Sequence, residues 1–302
     1  MLQQSTFGHG VRSLVKASLP SSLFRKARFL KRLSIYYRME TSDLIQRDMN
    51  AGVDCIFLNR SLRLRLPDDA LAHNVFRSMA FEAEEWRSFL KLASGCRAFV
   101  DIGASGGFFS ALFAASRPEA VQILSIEPDP PSRIVLANVR DRNMRTNTEW
   151  IIDGGAVGSA EKAEFVSSGY GVARSLSAAG DAGTQRTAAR NGRPFARIEV
   201  ECATLQSICR EHGVVPDLLK IDIEGMEWDL VRASLDWLAQ RRPRMHLEVH
   251  PAFIRRQHRD PHVFLKNLQQ IGYRSHDGAP WASAFKRANG DANFHLDLVA
   301  KV

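Results

Sequence analysis

Short apolar segments alternate with segments of helical spacing between residues 97 and 249. Five of the apolar segments have the length and the Val, Ile and Leu content of buried strands. They are Ala98–Ile102, Val121–Glu127, Thr148–Ile152, Leu218–Ile223 and Met245–Val249. The predicted helices between them cover 107–116, 131–142, 204–212 and 225–240. This alternation predicts an α/β fold with a doubly wound, mostly parallel, Rossmann-like sheet that helices cover on both faces.

Further strands are predicted around a segment that is rich in Ser, Ala and Gly. Residues 156–166 and 195–203 have the composition of strands, and 167–193 is predicted to be a loop, either a lid or a disordered connection. Near the C-terminus, Gly272–Arg274 and Phe294–Val299 predict an antiparallel hairpin whose strands are joined by a long polar loop. The predicted sheet therefore ends in an antiparallel pair.

The residues before the alternating region predict a different kind of structure. Strand-like pieces at 55–58 and 62–66 precede a predicted helix at 80–93. We divide the chain into a basic, helical N-terminal extension over residues 1–50 and an α/β domain over 51–302, whose core begins at about residue 75.

Basic residues are concentrated at the N-terminus of this 302-residue chain, whose formal net charge is +8. Residues 1–39 contain eight Lys or Arg and no acid, and residues 21–39 mix basic and apolar side chains at helical spacing. A basic amphipathic helix of this kind binds peripherally to an anionic membrane. Packing on the main domain with solvated charges, and an organellar transit peptide, are the two alternatives that stay open.

Cysteine usage indicates the compartment. Cys55, Cys96, Cys202 and Cys209 have neither disulfide nor metal-ligand spacing, which predicts reduced thiols and a cytoplasmic protein. The longest apolar segment, 108–115, is far shorter than the ~20 residues of a membrane-spanning helix. No sequence feature indicates an oligomeric state.

A glycine loop follows the first predicted strand. The segment FVDIGASGGFFS (99–110) places Asp101 in the strand, and Gly103 and Gly107 before a helix. Glycine lets the backbone approach a ligand closely, and the helix N-terminus then points at that ligand. An acid that precedes the glycines differs from the nicotinamide-binding fingerprint and suits a ligand ammonium better than a pyrophosphate. Packing between strand and helix is the alternative explanation of the glycines.

A second acid lies at the end of the next strand. Glu127 follows Gly103 by 24 residues and is placed to accept hydrogen bonds from both hydroxyls of a ribose. This order of acid, glycine loop and acid is the layout expected for S-adenosyl-L-methionine. The predicted cofactor-binding residues are Asp101, Gly103, Ala104, Gly107 and Glu127. Asp153 is a further candidate, for the adenine amine, unless its Asp-Gly-Gly sequence is only a turn.

The sequence resembles the FkbM family of S-adenosylmethionine-dependent methyltransferases over about residues 75–300. The motifs are, in order, FVDIGASGGFFS, IEPDP, AVGS (156–159), TLQSI (204–208), LLKIDIEGMEWDLV and LEVH (247–250). The Lys-Ile-Asp-Ile-Glu-Gly-x-Glu run is the most distinctive of them. The resemblance implies a class I methyltransferase domain that methylates hydroxyl groups of sugars, glycolipids or polyketide-type products. Ser105 and Gln206 depart from the family pattern, which has Asn and Asp there.

Five carboxylates lie in DLLKIDIEGMEWDLV (217–231), on a predicted strand and the helix after it. Asp222 and Glu224 come at the exit of the strand, where doubly wound sheets bind ligands, so we expect them to position the acceptor or the sulfonium. Glu227, in the first turn of the helix, is either solvated or orients a partner. Asp217 and Asp229 are predicted to be solvated.

The neighbouring strand ends in Leu-Glu-Val-His. Glu248 and His250 share one face of it, and His250 is the candidate general base because its ordinary pKa lies near neutral pH. A neighbouring carboxylate would hold its tautomer, and a structural histidine is the alternative. A divalent cation would also suit the oxygen-rich set of Asp222, Glu224, Glu248 and His250. The spacing does not require a cation, and we predict no metal.

These patterns lead to an expected function. We expect in-line transfer of a methyl group from S-adenosyl-L-methionine to a hydroxyl of a sugar, glycolipid or related metabolite, with His250, Asp222 and Glu224 as catalytic residues. The basic N-terminus raises an RNA methyltransferase as one rival, but the fourth strand is followed by Asp-Ile-Glu-Gly instead of N/D-P-P-Y, and the sequence has no RNA-binding motif. A non-catalytic scaffold is the other rival, and it gives no reason for so many acids at predicted buried positions.

Overall fold

The computed structural model describes residues 47–48, 53–57, 62–66, 85–167, 174–175 and 196–300. The predicted amphipathic segment 21–39 and nearly all of the predicted loop 167–193 lie outside these residues. The division of the chain at residue 50 therefore stays a prediction.

The strands and helices follow one another along the chain in this order. The strands are β1 (Arg47–Asp48), β2 (Val53–Phe57), β3 (Leu62–Leu66), β4 (Ala98–Ile102), β5 (Val121–Ile126), β6 (Thr148–Asp153), β7 (Ala156–Val157), β8 (Lys162–Ser167), β9 (Arg174–Ser175), β10 (Ala196–Ala203), β11 (Leu218–Ile221), β12 (Arg244–Val249), β13 (Tyr273–Ser275) and β14 (Phe294–Ala300). The helices are α1 (85–92), α2 (Phe108–Ala115), α3 (Pro130–Asn143), α4 (Leu205–Glu211), α5 (Glu227–Ala233), α6 (Leu235–Arg241), α7 (Pro251–Arg256), α8 (Pro261–Gln270) and α9 (Trp281–Ala288).

A seven-stranded sheet forms the centre of the described fold, in the order β13-β14-β12-β11-β4-β5-β6. Strand β14 runs antiparallel to both of its neighbours, and the remaining pairs are parallel. The direction of winding reverses between β4 and β11, and the crevice outside such a switch point is where doubly wound sheets bind ligands. The predicted fold class, including the C-terminal antiparallel pair, is confirmed.

A second, four-stranded sheet has the order β7-β10-β8-β9 and corresponds to the predicted extra strands. Strand β10 pairs parallel with β7 and antiparallel with β8. Strands β1, β2 and β3 form a separate antiparallel sheet. None of the helices in the described residues combines the length and the apolar composition that crossing a membrane requires.

Apolar side chains cover both faces of the central sheet. Helices α1 to α3 pack on one face, where the Phe89 and Phe113 rings lie 5.4 and 4.9 Å from the ring of Phe99. Helices α4 to α9 pack on the other face. Because successive strand residues alternate between faces, Asp101 points with Phe99 towards α2, and Val100 and Ile102 point the other way.

Three features of the C-terminal half differ from the sequence prediction. The single helix predicted over 225–240 is two helices, α5 and α6, which meet at Ser234. Helices α7 and α8 were not predicted, and α9 occupies what was predicted to be a polar loop. Pro251 and Pro261 begin α7 and α8, and Pro280 caps α9. In a sequence, proline usually indicates a loop or the end of a helix, but it is also well suited to the first position of a helix.

Candidate functional site

A cavity of about 380 Å³ lies outside the carboxyl ends of β4, β5 and β11, which is the predicted location. The four-stranded sheet forms the opposite wall, with Ala156, Ala163, Phe165 and Cys202. Four of the predicted site residues line the cavity, namely Gly103, Glu127, Asp222 and Glu224. Four others are buried and are not among the lining residues, namely Asp101, Ala104, Gly107 and His250.

Gly103 brings the two central loops into direct contact. Its φ is +77°, and a Cβ built on it would lie 2.0 Å from the carbonyl oxygen of Asp222. The backbone N–H of Asp222 in turn donates to the carbonyl of Ile102, at 3.1 Å. The loop after β4 and the loop after β11 are therefore packed backbone to backbone, which only a glycine permits.

The rest of the glycine loop is held by the protein itself. Gly107 has a φ of +81° at the start of α2, and a Cβ there would lie 2.4 Å from Cδ1 of Leu136 on α3. The N–H of Ala104 donates to the carbonyl of Ile126, at 3.1 Å. At Gly107 the packing explanation accounts for the glycine, and the roles of Ala104 and Gly107 in cofactor binding stay predictions.

The Glu127 carboxylate is fixed at the edge of the cavity. Its side chain accepts hydrogen bonds from the backbone N–H groups of Ser105 and Asp129, at 2.7 and 2.8 Å. Burial raises the pKa of Glu127 to about 7, in spite of these two hydrogen bonds. Each oxygen accepts one bond, so each keeps a lone pair for a ligand hydroxyl.

Asp101 is buried directly behind the glycine loop. Its Oδ2 accepts a hydrogen bond from the Ser110 hydroxyl at 2.7 Å, and its Oδ1 has no hydrogen-bond partner among the described residues. The nearest cation is the Lys220 ammonium, 3.9 Å from Oδ1. Burial raises the pKa of Asp101 and Lys220 opposes this shift. A buried carboxylate oxygen without a donor is suited to a ligand ammonium.

Asp222 is the ionised carboxylate of the site. Its Oδ2 lies 3.2 Å from the Lys220 ammonium, which also lies over the Phe109 ring. Although burial acts in the opposite direction, Lys220 and His250 hold the pKa of Asp222 below its ordinary value. Glu224 lies two residues further on, with a φ of +53° at the tip of the loop. Asp222 therefore carries a negative charge into the cavity.

Glu227 is the residue of the site that sequence analysis left ambiguous. It is fully buried, and its Oε1 lies 2.7 Å from Nδ1 of His250. The same oxygen accepts hydrogen bonds from the backbone N–H groups of Ile223 and Gly225, at 3.2 and 3.0 Å. Glu227 thus orients both the histidine and the Asp222–Gly225 loop. It is the last residue of the distinctive Lys-Ile-Asp-Ile-Glu-Gly-x-Glu run, which was the available signal.

His250 is therefore oriented with its other nitrogen towards two acids. Its Nε2 lies 3.7 Å from Oδ1 of Asp222 and 3.5 Å from Oε1 of Glu248. Burial lowers its pKa, but Glu227, Glu248 and Asp222 together raise the pKa of His250 to about 9. Burial and the Asp222 carboxylate raise the pKa of Glu248 above its ordinary value. At neutral pH the imidazole is thus mostly protonated.

The remaining carboxylates separate into two groups. Asp217 is exposed, as predicted, and accepts hydrogen bonds from the N–H groups at the start of β4. The prediction that Asp229 is solvated is wrong. Asp229 lines the cavity and pairs with Arg259, because the segment between α7 and α8 packs against α5. Asp153 accepts from the N–H of Gly155 and contacts His212, in agreement with the turn interpretation.

The model of one family matches more than half of the chain. The Methyltransferase FkbM domain matches residues 101–275, from the buried acid of β4 to the end of β13. This protein belongs to the FkbM methyltransferase family. The resemblance of its motifs to that family is thereby confirmed, and with it the expectation of a methyltransferase domain.

Solved structures were also compared with this FkbM protein. An FkbM methyltransferase from Methylobacillus flagellatus KT is 18% identical, with 77% of this chain and 56% of that chain covered and a TM-score of 0.39. A precorrin-6y C5,15-methyltransferase from Geobacter metallireducens GS-15 is 13% identical, with 63% and 71% covered and a TM-score of 0.35. TYW2 from M. jannaschii, solved with AdoMet, is 13% identical, with 84% and 87% covered and a TM-score of 0.37.

The present chain spans little more than half of the length of the Methylobacillus FkbM protein. No curated protein sequence matches the chain. The family assignment of the protein therefore rests on the family model.

Proposed function

We propose that this protein is an S-adenosyl-L-methionine-dependent O-methyltransferase that acts on a hydroxyl group of a sugar, glycolipid or related metabolite. The observation that carries the proposal is the buried pair of His250 and Glu227 beside the cavity. A histidine that is held through Nδ1 and directs Nε2 towards an ionised acid is suited to accept a proton from a hydroxyl. Membership of the FkbM family supports transfer of a methyl group.

The residues of the glycine loop fit the proposed cofactor. S-Adenosyl-L-methionine supplies an electrophilic methyl group on a sulfonium and also carries an ammonium and a ribose. Glu127 would accept hydrogen bonds from the two ribose hydroxyls, and the unpartnered Oδ1 of Asp101 would accept from the ammonium. Gly103 lines the cavity, and Ala104 and Gly107 complete the loop that we propose to bind the cofactor. The cavity volume lies in the range of about 300–1,000 Å³ that is usual for small-molecule sites.

The residues after β11 and β12 would handle the acceptor. Asp222 and Glu224 would position the acceptor hydroxyl in line with the methyl group, and their negative charges favour a cationic group next to them. Nε2 of His250 would accept the hydroxyl proton of the acceptor during methyl transfer, in which the C–O bond replaces the methyl–sulfur bond and S-adenosyl-L-homocysteine is the leaving group. Glu227 would stabilise the imidazolium through Nδ1, in the manner of a carboxylate that orients a catalytic histidine.

Cofactor binding provides the first test. We expect titration calorimetry of the full chain with S-adenosyl-L-methionine to detect one site. Asp101→Asn and Glu127→Gln should each raise the dissociation constant by about 10–100-fold. Each substitution removes hydrogen bonds that involve a charged group, and such bonds are worth about 1.5–3 kcal/mol. Glu211→Gln, an exposed carboxylate on α4, is the control and should leave the affinity unchanged. Wild-type affinity in both site variants, with unchanged melting temperatures, would contradict the assignment.

The pH dependence of activity follows from His250. Protonated imidazole cannot accept a proton, so kcat/KM should rise about tenfold per pH unit up to about pH 9, where His250 titrates. Glu227→Gln removes the nearest of the three carboxylates that raise this pKa; Glu248 and Asp222 remain. We expect the rising limb to move about 1–2 pH units lower in this variant. Initial rates between pH 6 and 10 test this, and an unmoved limb would exclude His250 as the base.

The acceptor class rests on the family resemblance and on the carboxylates of Asp222, Glu224 and Asp229 in a cavity whose lining is otherwise largely apolar. A membrane-bound glycolipid acceptor would also give a role to the basic segment 21–39, as a peripheral contact with anionic lipid. A panel of free sugars, nucleotide sugars and glycolipids, assayed for release of S-adenosyl-L-homocysteine, distinguishes these acceptors. Methylation of RNA in the same assay, without methylation of any sugar, would favour the rival function.

A further inference from the structure

A second cluster of ionisable side chains lies on the same face of the central sheet, below His250. His246 of β12 and His295 of β14 face Glu85 of α1. The Nε2 atom of His246 lies 3.1 Å from Oε1 of Glu85, and Nε2 of His295 lies 3.2 Å from Oε2. The two imidazole rings are stacked, with centroids 5.6 Å apart. The methyl-transfer mechanism uses none of these three residues.

The carboxylate of Asp297 fixes the orientation of the His246 imidazole. Its Nδ1 lies 2.6 Å from Oδ1 of Asp297, and Asp297 also accepts a hydrogen bond from Ser88 of α1. The His246 side chain is 1% exposed, and the Phe89 and Phe109 rings pack against it. Nε2 of His246 donates a hydrogen bond to Glu85 when it is protonated, and a cation that displaces this proton would take up the Nε2 lone pair while Asp297 holds Nδ1. Histidine ligands of metals usually have such a carboxylate or carbonyl on the other nitrogen.

The spacing of the cluster suits a small cation. In a tetrahedral zinc site with bonds of about 2.0–2.1 Å, neighbouring ligand atoms are about 3.4 Å apart. His246 lies 3.1 Å from Oε1 and His295 lies 3.2 Å from Oε2, so the two imidazoles face different oxygens of one carboxylate at nearly that spacing. One ligand atom from each of the three residues lies within 4.8 Å of the others. His295 is 35% exposed, which leaves a side of the cluster open for a fourth ligand.

We propose that Glu85, His246 and His295 bind a late first-row divalent cation, with Zn²⁺ as the best match. Two imidazoles and one carboxylate are borderline ligands, which favour zinc and its neighbours over Mg²⁺ or Ca²⁺. Asp222, Glu248 and His250 form a nearby set with more oxygen, in which Nε2 lies 3.5 and 3.7 Å from the carboxylates. The zinc site is therefore assigned to the cluster with two histidines, and it does not depend on the proposed methyl transfer.

Direct metal titration of the chelator-treated full chain tests the proposal. Calorimetry with ZnCl₂ should give one site, and Co²⁺ should give visible d–d bands without a sulfur charge-transfer band. Glu85→Gln and His295→Ala should abolish both signals. Asp297→Asn, which removes the carboxylate that holds Nδ1 of His246 without changing a proposed ligand, should weaken Zn²⁺ binding by about 10–100-fold. His276→Ala, an exposed histidine after β13, should leave binding unchanged.

Two further readouts separate the alternatives. Circular dichroism and melting temperature without metal establish that each variant is folded, and His295→Ala is the mildest change because that side chain is partly exposed. Asp222→Asn should retain zinc binding if the proposed ligands are correct. Binding that is lost in Asp222→Asn but kept in His295→Ala, a cobalt spectrum with thiolate bands, or no binding in the wild type would each overturn the proposal.

Discussion

Replacing His250 with alanine or glutamine is expected to lower kcat by about 10²–10⁴-fold, the usual contribution of a general base. The imidazole is 2% exposed and is the only group in our mechanism that receives the acceptor proton. Glutamine can still donate to Glu227 Oε1 through its amide, so His250→Gln keeps the buried carboxylate partnered while removing the base. The dissociation constant of S-adenosyl-L-methionine should change little in either variant, because the residues predicted to bind it lie in β4 and in the loops after β4 and β5.

Initial rates with an acceptor from the panel, together with cofactor calorimetry, check this expectation. His276→Ala serves as the control for loss of an imidazole at a distance from the site. Added imidazole should partly restore the His250→Ala rate, since a missing base can be replaced from solution and a missing structural contact cannot. Retention of most of kcat in a folded His250→Gln enzyme would show that the histidine is structural.

Gly103→Ala is the second substitution for which we expect a large effect. Its Cβ would lie 2.0 Å from a backbone oxygen, and backbone cannot rotate away as a side chain can. We expect the free energy of unfolding to fall by about 3–5 kcal/mol, in the range of the most destabilising single substitutions. Urea unfolding followed by tryptophan fluorescence measures this change, and cofactor affinity should fall with it because the two loops must separate.

Gly213→Ala is the matched control. Gly213 also has a left-handed φ, +64°, but no described atom lies within 4 Å of the added Cβ. Gly213→Ala should lower the free energy of unfolding by only about 1–2 kcal/mol, which is the cost of placing a non-glycine residue in the left-handed region. The difference between the two variants isolates the clash with the Asp222 carbonyl. Equal losses at the two positions would mean that the loops are not in the contact described above.

Local sequence patterns predicted the central sheet well. The five predicted strands match β4, β5, β6, β11 and β12 to within two residues at each end. Strands β4, β5, β11 and β12 are largely buried on both faces, so their apolar runs are distinctive. Short helices α7 to α9 were missed because they have six to ten residues and begin beside proline. A single turn or two of amphipathic pattern cannot be distinguished from a loop by periodicity alone.

A cavity lies at the edge of the sheet where the site was predicted, and several of the contacts around it were not predicted. Strand-end acids could be predicted because parallel strands bring their carboxyl ends to one edge of a sheet. The solvated interpretation of Asp229 was wrong because its partner, Arg259, is 30 residues away along the chain. The Glu85 cluster was not predicted for the same reason. Its members come from α1, β12 and β14, and no local spacing connects them.

One oxygen atom, Oε1 of Glu227, holds both the imidazole of His250 and the backbone of the loop that carries Glu224. Proton affinity and loop shape are consequently not independent variables in this protein. Under the proposed function, engineering the loop to accept a different alcohol would also shift the pH optimum, and a variant selected for activity at lower pH would acquire an altered acceptor range. Acceptor selectivity and the pH dependence of activity should therefore be measured together in every variant of this loop, because both depend on Oε1 of Glu227.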